Sequence, residues 1–226
     1  MARPEGGYTL ADGTAVPGVT TVVGMLNKPA LIGWAGKLCV QAGYDAGRAG
    51  EPIPRWNDVC YGQRDEAAAA GTQAHDLFER HLRGQPIPPM AECMTGAWQA
   101  YNNAVHWLED TGLEVEPYEE PIVSETMGYA GTPDALCTDK RGRRHLADWK
   151  TGGVYVDHIL QMAAYRALLG ELGIDVEGVH LVRFSRDHGD FAHHYFDADA
   201  LDVGWRAFRG LLDAWPHVQA VQKRAK

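Results

Sequence analysis

Two short strands joined by a tight turn restrict how the middle of this chain can fold. Residues 135–138 and 145–149 have the composition of β-strands, and Lys140-Arg141-Gly142 between them fits a three-residue hairpin loop closed by a left-handed glycine. Counting back from that loop places Asp134 on the first strand opposite Asp148 on the second. The hairpin therefore predicts that two acids separated along the chain become neighbours in space.

The second strand adds a cation on the same face as its acid. Side chains two residues apart on a strand point to the same side, so Asp148 and Lys150 face one way and Trp149 the other. Directly opposed side chains have Cβ atoms about 4.5–5.5 Å apart, a distance at which two carboxylates repel. A divalent cation between them would remove that repulsion, and oxygen ligands suit Mg²⁺ or Mn²⁺. The alternative is a pair of solvated strand acids with a lysine as their ion-pair partner.

The remaining periodicity indicates a mixed α/β domain. A leading helix over 64–83 contains Gly71, whose missing side chain would allow close packing one turn before His75. Three strands, a helix and two further strands follow, and this order indicates a sheet with helices packed against it. The other predicted elements are helices at 94–111 and from the N-cap candidate Asp157 to Leu169, strands at 115–123, 135–138, 145–149, 178–184 and 191–196, a helix over 198–226 interrupted at Pro216, and a short strand, or a strand entering a helix, at 19–23.

Composition and charge exclude several classes of protein. The chain has 226 residues, 45% hydrophobic and 23% charged, which are ordinary globular values and exclude a disordered, collagen-like or disulfide-scaffold protein. A net charge of −9 argues against broad nonspecific binding of nucleic acid but not against a local basic groove. The four cysteines lack metal-binding spacings, so we expect free thiols. Without an apolar run that could span a membrane or form a signal peptide, we expect a cytoplasmic protein.

Four motifs lie along the chain within and around the hairpin. They are, in order, Gly71-Thr72-Gln73-Ala74-His75, Gly131-Thr132-Pro133-Asp134, Asp148-Trp149-Lys150 and Gln161-Met162-Ala163-Ala164-Tyr165. Their order and spacing resemble the RecB-like branch of the PD-(D/E)XK nuclease superfamily, over residues 8–196. The segment 16–23 is similar to one found in phage and mitochondrial exonucleases of this branch, with Gly18 in place of the usual serine.

The resemblance implies a restriction-endonuclease-like core of αβββαβ order, with a mixed central sheet flanked by helices. It implies a single nuclease domain over 1–226, made of an N-terminal extension (1–60), the core (64–196) and a C-terminal helix (198–226). It also implies Mg²⁺ or Mn²⁺ as cofactor, and an imidazole ligand favours Mn²⁺. No iron–sulfur cluster is expected, because the sequence has no cysteine after Cys137.

The resemblance also assigns roles to single residues. Gln161 and Tyr165 are four apart and so share one face of a helix, where they would bind a phosphate or hold the lysine. The alternatives are polar edges of an ordinary helix for this pair and an interhelical histidine for His75. Catalytic roles would fall to Asp134, Asp148, Lys150, Gln161, Tyr165 and Glu119, and metal ligation to His75, Asp134, Asp148 and the backbone carbonyl of Trp149.

The implied function is exonucleolytic hydrolysis of DNA, at single-stranded or duplex ends, in a bacterial or phage-infected cell and away from membranes. Two alternatives remain open, a structure-specific endonuclease with the same site and a catalytically silent nucleic-acid-binding module. Some basic and aromatic side chains must then form a phosphate path despite the negative net charge. The candidates are Lys28, Lys37, Arg141, Arg143, Arg144, Arg183 and Arg186 for phosphates, and Trp34, Trp56 and Tyr61 for stacking on bases.

Overall fold

The centre of the fold is a five-stranded sheet with helices packed on both faces. The computed structural model describes residues 6–26, 28–118 and 120–225. This arrangement confirms the α/β fold expected from the sequence, with a mixed central sheet flanked by helices. The helices are α1 (Val19–Val23), α2 (Pro29–Ala49), α3 (Trp56–Leu82), α4 (Thr95–Thr111), α5 (Val156–Glu171) and α6 (Ala198–Arg224), and the strands are β1 (Tyr8–Thr9), β2 (Ala15–Val16), β3 (Glu114–Pro117), β4 (Ile122–Ser124), β5 (Tyr129–Gly131), β6 (Ala135–Thr138), β7 (Arg144–Lys150), β8 (Gly178–Phe184) and β9 (Phe191–Asp197).

The main sheet has the strand order β3-β6-β7-β8-β9, and β1-β2 and β4-β5 form two small sheets. Neighbouring strands of the main sheet are antiparallel except β7 and β8, which are parallel because α5 connects the end of one to the start of the other. The carboxyl ends of β7 and β8 therefore lie side by side at one end of the sheet. The candidate site residues gather at this end.

Alternation along the strands divides the core in two. Leu146 and Leu181 point to the face covered by α1, α5 and α6, whereas Ala147, Trp149 and Val182 point to the face covered by α3 and α4. Strand β7 is consequently buried on both sides. A polar side chain on this strand lies inside the protein instead of in solvent.

The predicted hairpin register is confirmed. Ala135 pairs with Ala147, Thr138 pairs with Arg144, and Gly142 has the left-handed φ of 77° that the three-residue loop requires. The Asp139 carboxylate accepts hydrogen bonds from two backbone N–H groups of the loop at 2.9 and 3.0 Å. These bonds favour the charged carboxylate and lower the pKa of Asp139, with the bond from the Arg143 backbone contributing most.

The N-terminal part differs from its prediction. Residues 19–23 form helix α1 instead of a strand, since Val19, Val22 and Val23 have helical spacing and are all buried. The helix predicted over 64–83 begins earlier, at Trp56. Helix α2 was not predicted, because its apolar residues do not form one stripe: among the α2 side chains whose burial the structure describes, only Ala46 is buried.

Three further boundaries differ from the sequence analysis. The strand predicted over 115–123 is two strands in different sheets, β3 and β4, because Pro121 precedes β4 and cannot continue a ladder. Asp157 lies in the first turn of α5, and the N-cap is Tyr155. Helix α6 continues through Pro216 as far as Arg224, because its buried face holds it against the core on the N-terminal side of the proline.

Two further expectations concern the state of the cysteines and the hydropathy of the helices. All four cysteines are free thiols, as expected. Within the described ranges, each helix is too short or too polar to cross a bilayer.

Candidate active site

Asp134 and Asp148 lie at the end of the main sheet where β7 and β8 finish. Asp134 immediately precedes β6. Because Ala135 pairs with Ala147, the residue before Ala135 lies beside the residue after Ala147, which is Asp148. The Asp134 carboxylate accepts a hydrogen bond of 3.4 Å from the backbone N–H of Trp149. Asp148 is only 1% exposed, so its charge is held inside the fold. The structure therefore brings the two predicted acids together.

Lys150 is the partner of the buried acid. Its Nζ lies 2.6 Å from Asp148 Oδ2, with both side chains largely buried. Burial raises the pKa of Asp148 to about 7; Lys150 opposes this shift and Asp134 adds to it. Burial would lower the pKa of Lys150, but the two carboxylates outweigh burial and raise it. The lysine remains charged at neutral pH.

His75 reaches the acids from helix α3, on the other face of the sheet. Its Nδ1 lies 3.9 Å from Asp134 Oδ2, and its ring centroid lies 6.0 Å from that of Trp149. Burial lowers the pKa of His75, against the attraction of Asp134 and a hydrogen bond with the Trp149 backbone. The ring is therefore neutral at pH 7, the form in which imidazole binds a metal.

Gly71 explains how α3 comes so close to β7. A Cβ built on Gly71 would lie 2.8 Å from Thr151 Oγ1, directly after the strand. The glycine thus permits the close packing that the sequence predicted one turn before His75. It sets the height of His75 above the sheet end.

Gln161 and Tyr165 lie on the opposite side of the acids, in helix α5. The Gln161 amide donates a hydrogen bond of 2.9 Å to Tyr165 Oη, and both side chains are buried. Burial raises the pKa of Tyr165, and both site acids raise it further, so the phenol is neutral. The Tyr165 ring packs against Gly131, where a Cβ would overlap it. Neither the Gln161 nor the Tyr165 side chain is among those lining the cavities that open over the sheet end, and within the described part of the chain no contact joins the pair to Lys150.

The fit of a divalent cation to these residues can be tested on Asp148. Its Oδ2 is buried, and the Lys150 ammonium lies 2.6 Å from it as an ion-pair partner. A carboxylate oxygen left in this state fits a hard cation, and with Asp134 and the neutral His75 it gives the mixed oxygen and nitrogen ligands that suit Mn²⁺ or Mg²⁺. Among the described residues, however, no three histidine, cysteine or acidic side chains converge closely enough to hold a metal as arranged. Glu119, the remaining predicted acid, lies outside the described residues.

Two adjoining cavities open over this sheet end. One, of about 590 Å³, has an acidic wall formed by Asp76, Glu79 and Asp134. The other, of about 460 Å³, has a basic and aromatic wall and includes Lys150. His75 and Thr151 line both cavities, so Asp134 and Lys150 face one continuous groove, whereas the buried Asp148 is not among its lining residues. The basic and aromatic wall is formed by Lys28, Trp34, Arg64, Lys150, Tyr155 and Arg186.

The structure divides the predicted phosphate-path residues. Lys28, Arg186 and Trp34 line the groove, whereas Trp56 and Tyr61 lie in the first two turns of α3, with their rings tilted against each other and the centroids 6.0 Å apart. The basic residues of the hairpin and β8 do not line it: Arg143 pairs with Asp139 and Glu177, and Arg183 pairs with Asp190.

Sequence reasoning missed the polar network behind the basic wall. Lys28 Nζ lies 2.6 Å from the buried carboxylate of Asp157, next to His158 in the first turn of α5. Burial and the nearby Lys150 lower the pKa of His158 to about 4, so its ring is neutral at pH 7. The same ring lines the groove. The available signal was topological, because α5 begins where β7 ends and its first turn must lie at the site.

Comparisons with known proteins gave only distant structural similarity. No protein-family profile and no curated protein matches the chain. Among solved structures, the alkaline exonuclease LHK-Exo from Laribacter hongkongensis is similar at 19% identity, with a TM-score of 0.37 over 68% of this chain and 84% of that chain. The same values hold for LHK-Exo in complex with dAMP. A protein named SSO0001 is similar at 13% identity, with a TM-score of 0.34 over 66% of this chain and 72% of that chain.

Proposed function

We propose that this chain is a deoxyribonuclease that depends on Mg²⁺ or Mn²⁺ and degrades DNA from an end. The observation that carries the proposal is the buried carboxylate of Asp148, placed next to Asp134 by the hairpin and 2.6 Å from the Lys150 ammonium. Burying this charge has a cost that packing alone does not explain. Two acids and a lysine beside a groove with a basic wall are suited to phosphodiester hydrolysis.

Each part of this arrangement has a separate task. A divalent cation held by Asp134 and Asp148, with His75 as nitrogen ligand, would supply charge neutralisation at the phosphate and acidify a water molecule. Lys150 points its ammonium at the same place and stabilises the negative charge that builds on the phosphate oxygens. The carbonyl of Trp149 is positioned by the strand between the acid and the lysine, and is the proposed fourth ligand.

The wall of the groove favours a single-stranded end as substrate. Arg64, which also pairs with the exposed Asp65 at 2.7 Å, and Arg186 are cations that line the same cavity as Lys150, and Trp34, 39% exposed, lines it too. Exposed aromatic rings bind unpaired bases by stacking, and nearby cations bind the backbone. End-directed cleavage is proposed from the resemblance of the motifs and of segment 16–23 to exonucleases.

The test is digestion of end-labelled linear DNA and of circular DNA, each single-stranded and duplex, with Mg²⁺, Mn²⁺ or a chelator. We expect nucleotides to be released from linear single strands with either metal, faster with Mn²⁺, and no release with the chelator. Circular single strands should remain intact because a circle has no end.

The other outcomes identify the alternatives. Cleavage of the single-stranded circle would replace the exonuclease with an endonuclease that has the same site. Binding of DNA without cleavage under every metal condition would favour a catalytically silent binding module. Hydrolysis that persists in the chelator would remove the proposed cation dependence.

A further inference from the structure

Helix α2 and the first half of α3 form a two-helix hairpin that extends away from the core. Most side chains of this hairpin are exposed, and few contacts in the described residues join its two helices. One contact lies at its middle: the Sγ atoms of Cys39 on α2 and Cys60 on α3 are 3.2 Å apart. The Cys60 thiol also donates a hydrogen bond of 3.7 Å to the backbone carbonyl of Ala35.

We propose that Cys39 and Cys60 are a modification site, at which a low-molecular-weight disulfide converts the two thiols into a reversible intramolecular disulfide. A disulfide bond requires sulfur atoms about 2.05 Å apart, so the two thiols need to approach by only about 1 Å. The other two cysteines have no such partner: Cys93 donates to the carbonyl of Pro89, and Cys137 donates to that of His145.

Exposure decides the order of the two chemical steps. Cys39 is partly exposed and Cys60 is buried, and the hydrogen bond with Cys39 together with burial raises the pKa of Cys60. The Cys39 thiolate therefore attacks one sulfur of glutathione disulfide and releases one glutathione thiolate. Cys60 then loses its proton to water and attacks the Cys39 sulfur, which releases the second glutathione. The protein loses two protons and two electrons, equivalent to two hydrogen atoms, and glutathione disulfide gains them.

The position of the pair indicates what the bond would change. Trp34 lies five residues before Cys39 and Arg64 four residues after Cys60, and both line the groove beside Lys150. A disulfide would close the loop of residues 39–60 and restrict the motion of α2 against α3. An effect of the disulfide on DNA binding through Trp34 and Arg64 rests on the proposed function, whereas formation of the disulfide does not.

The test uses the full chain treated with glutathione disulfide and then digested briefly with trypsin, which can cut at Arg48 and Arg55 between the two cysteines. We expect two of the four thiols to disappear, the mass of two hydrogen atoms to be lost, and the fragments on either side of the cut to stay joined until dithiothreitol is added. Amide hydrogen exchange in α2 should slow by about tenfold in the oxidised protein.

Variants distinguish this bond from other oxidation products. Cys93→Ser should still form the bond, whereas Cys39→Ser should not react. Cys60→Ala, which avoids a buried hydroxyl, should stop at a mixed disulfide of Cys39 with glutathione. The proposal fails if the wild type keeps four thiols, retains a glutathione adduct, or exchanges α2 amides at the same rate in both states. Because these readouts do not involve DNA, they stand even if the protein cleaves none.

Discussion

At Asp148 a carboxylate occupies a position where both neighbours along the strand belong to a hydrophobic core. Its oxygen has the Lys150 ammonium at 2.6 Å, and its pKa is raised to about 7 by burial. A charge held in this way is expensive and is retained at sites that use it. Substitution of Asp148 or of its partner Lys150 is therefore the most direct test of the candidate site.

Replacing either member of this pair should stop DNA cleavage without unfolding the chain. For Asp148→Asn and Lys150→Met we expect the single-turnover rate with Mn²⁺ to fall by about 10²–10³-fold or more, because the first would remove a carboxylate proposed to hold the cation and the second the ammonium proposed to stabilise charge on the phosphate. Single-turnover assays on labelled DNA measure the rate, and circular dichroism checks the fold. Asp213→Asn, an exposed acid on α6, is the matched control and should cleave at the wild-type rate. Wild-type rates in either site variant would exclude the mechanism.

A second residue-scale feature is a histidine cluster on β7, β8 and β9, in which His180 pairs in register with Ala147 of β7. His180 Nδ1 lies 2.8 Å from His193 Nε2, and the His180 ring lies 5.0 Å from that of His145 and 5.1 Å from that of Tyr195. Burial and the two neighbouring histidines lower the pKa of His180 to about 4, and Asp139 opposes the shift only weakly. The folded protein therefore resists protonation here, whereas the unfolded chain accepts a proton near pH 6.5.

The cluster predicts loss of stability in mild acid. Between pH 6.5 and 4 the unfolded state binds more protons than the folded state, so stability falls as the pH falls. After allowance for partial exposure, His180 should account for about 1–2 kcal/mol of this loss. Urea unfolding at several pH values should show a flatter dependence for His180→Gln than for the wild type. His217→Gln, on the exposed face of α6, should leave the slope unchanged, and parallel curves for His180→Gln would contradict the prediction.

Single site residues were predictable where their neighbours are fixed by local pairing. Asp134 and Asp148 could be placed together because one hairpin loop sets their register. Lys28 and Asp157 could not, because they meet only after α2 and α5 have packed around the sheet. Residues joined by tertiary packing leave no periodic signal in the sequence.

At the scale of elements, α3 must approach β7 closely enough to bring His75 to the sheet end. Gly71 makes this approach possible, and Gly62 on the same helix has open space around its Cα. A side chain is therefore excluded by packing at Gly71 and has free space at Gly62, although both glycines lie on one helix. A paired substitution separates the requirement for close packing from the general preference of helices for alanine.

Gly71→Ala should destabilise the protein by about 1–3 kcal/mol, because its new methyl group would collide with Thr151 Oγ1. Gly62→Ala should stabilise it by about 0.5–1 kcal/mol, since alanine favours the helix and meets no obstacle. Chemical denaturation measures both changes. Adding Thr151→Ala to Gly71→Ala should recover part of the loss. Equal effects of the two glycine substitutions would show that α3 does not depend on this contact.

Elements were predicted well where the pattern is local and strict. Strand β6 and the turn after it follow from alternation and from a left-handed glycine, and β8 has the predicted bounds. Helix α2 escaped prediction because its described side chains form no buried stripe. Helix α1 was predicted as a short strand or a strand entering a helix, because the five residues 19–23 are too few for their spacing to distinguish a strand from a helix. The elements that were missed or left ambiguous are those whose conformation depends on packing against other parts of the fold instead of on a local sequence pattern.

For the whole molecule, the net charge of −9 contrasts with the basic wall of the groove. The chain as a whole repels DNA, and binding must depend on a few cations in the right place. The composition could show the overall charge but not its distribution, because residues of the groove come from α2, α3, α5 and the segment after β8. The groove is therefore a property of the assembled fold.

Salt dependence of DNA binding should reveal this distribution. In an Asp148→Asn background, which should bind without cleaving, removal of the charge in Arg64→Met or Arg186→Met should weaken binding to single-stranded DNA and reduce the slope of log affinity against log salt by about 0.7. Fluorescence anisotropy at several salt concentrations measures the slope. Lys223→Met, at the far end of α6, is the control and should change neither quantity. Unchanged slopes for both arginine variants would place the phosphate path elsewhere.

The loop at residues 140–142 lies away from the candidate site, yet its length sets the register that places Asp134 beside Asp148. Adding or deleting one residue there would slide one strand past the other, and Asp134 would then lie opposite a residue that points to the other core. Evolution or an engineer can exchange the side chains of that loop freely, provided the glycine and the number of residues are kept. A one-residue insertion in this distant loop should therefore separate the two acids and abolish the proposed activity as completely as removing one of the carboxylates.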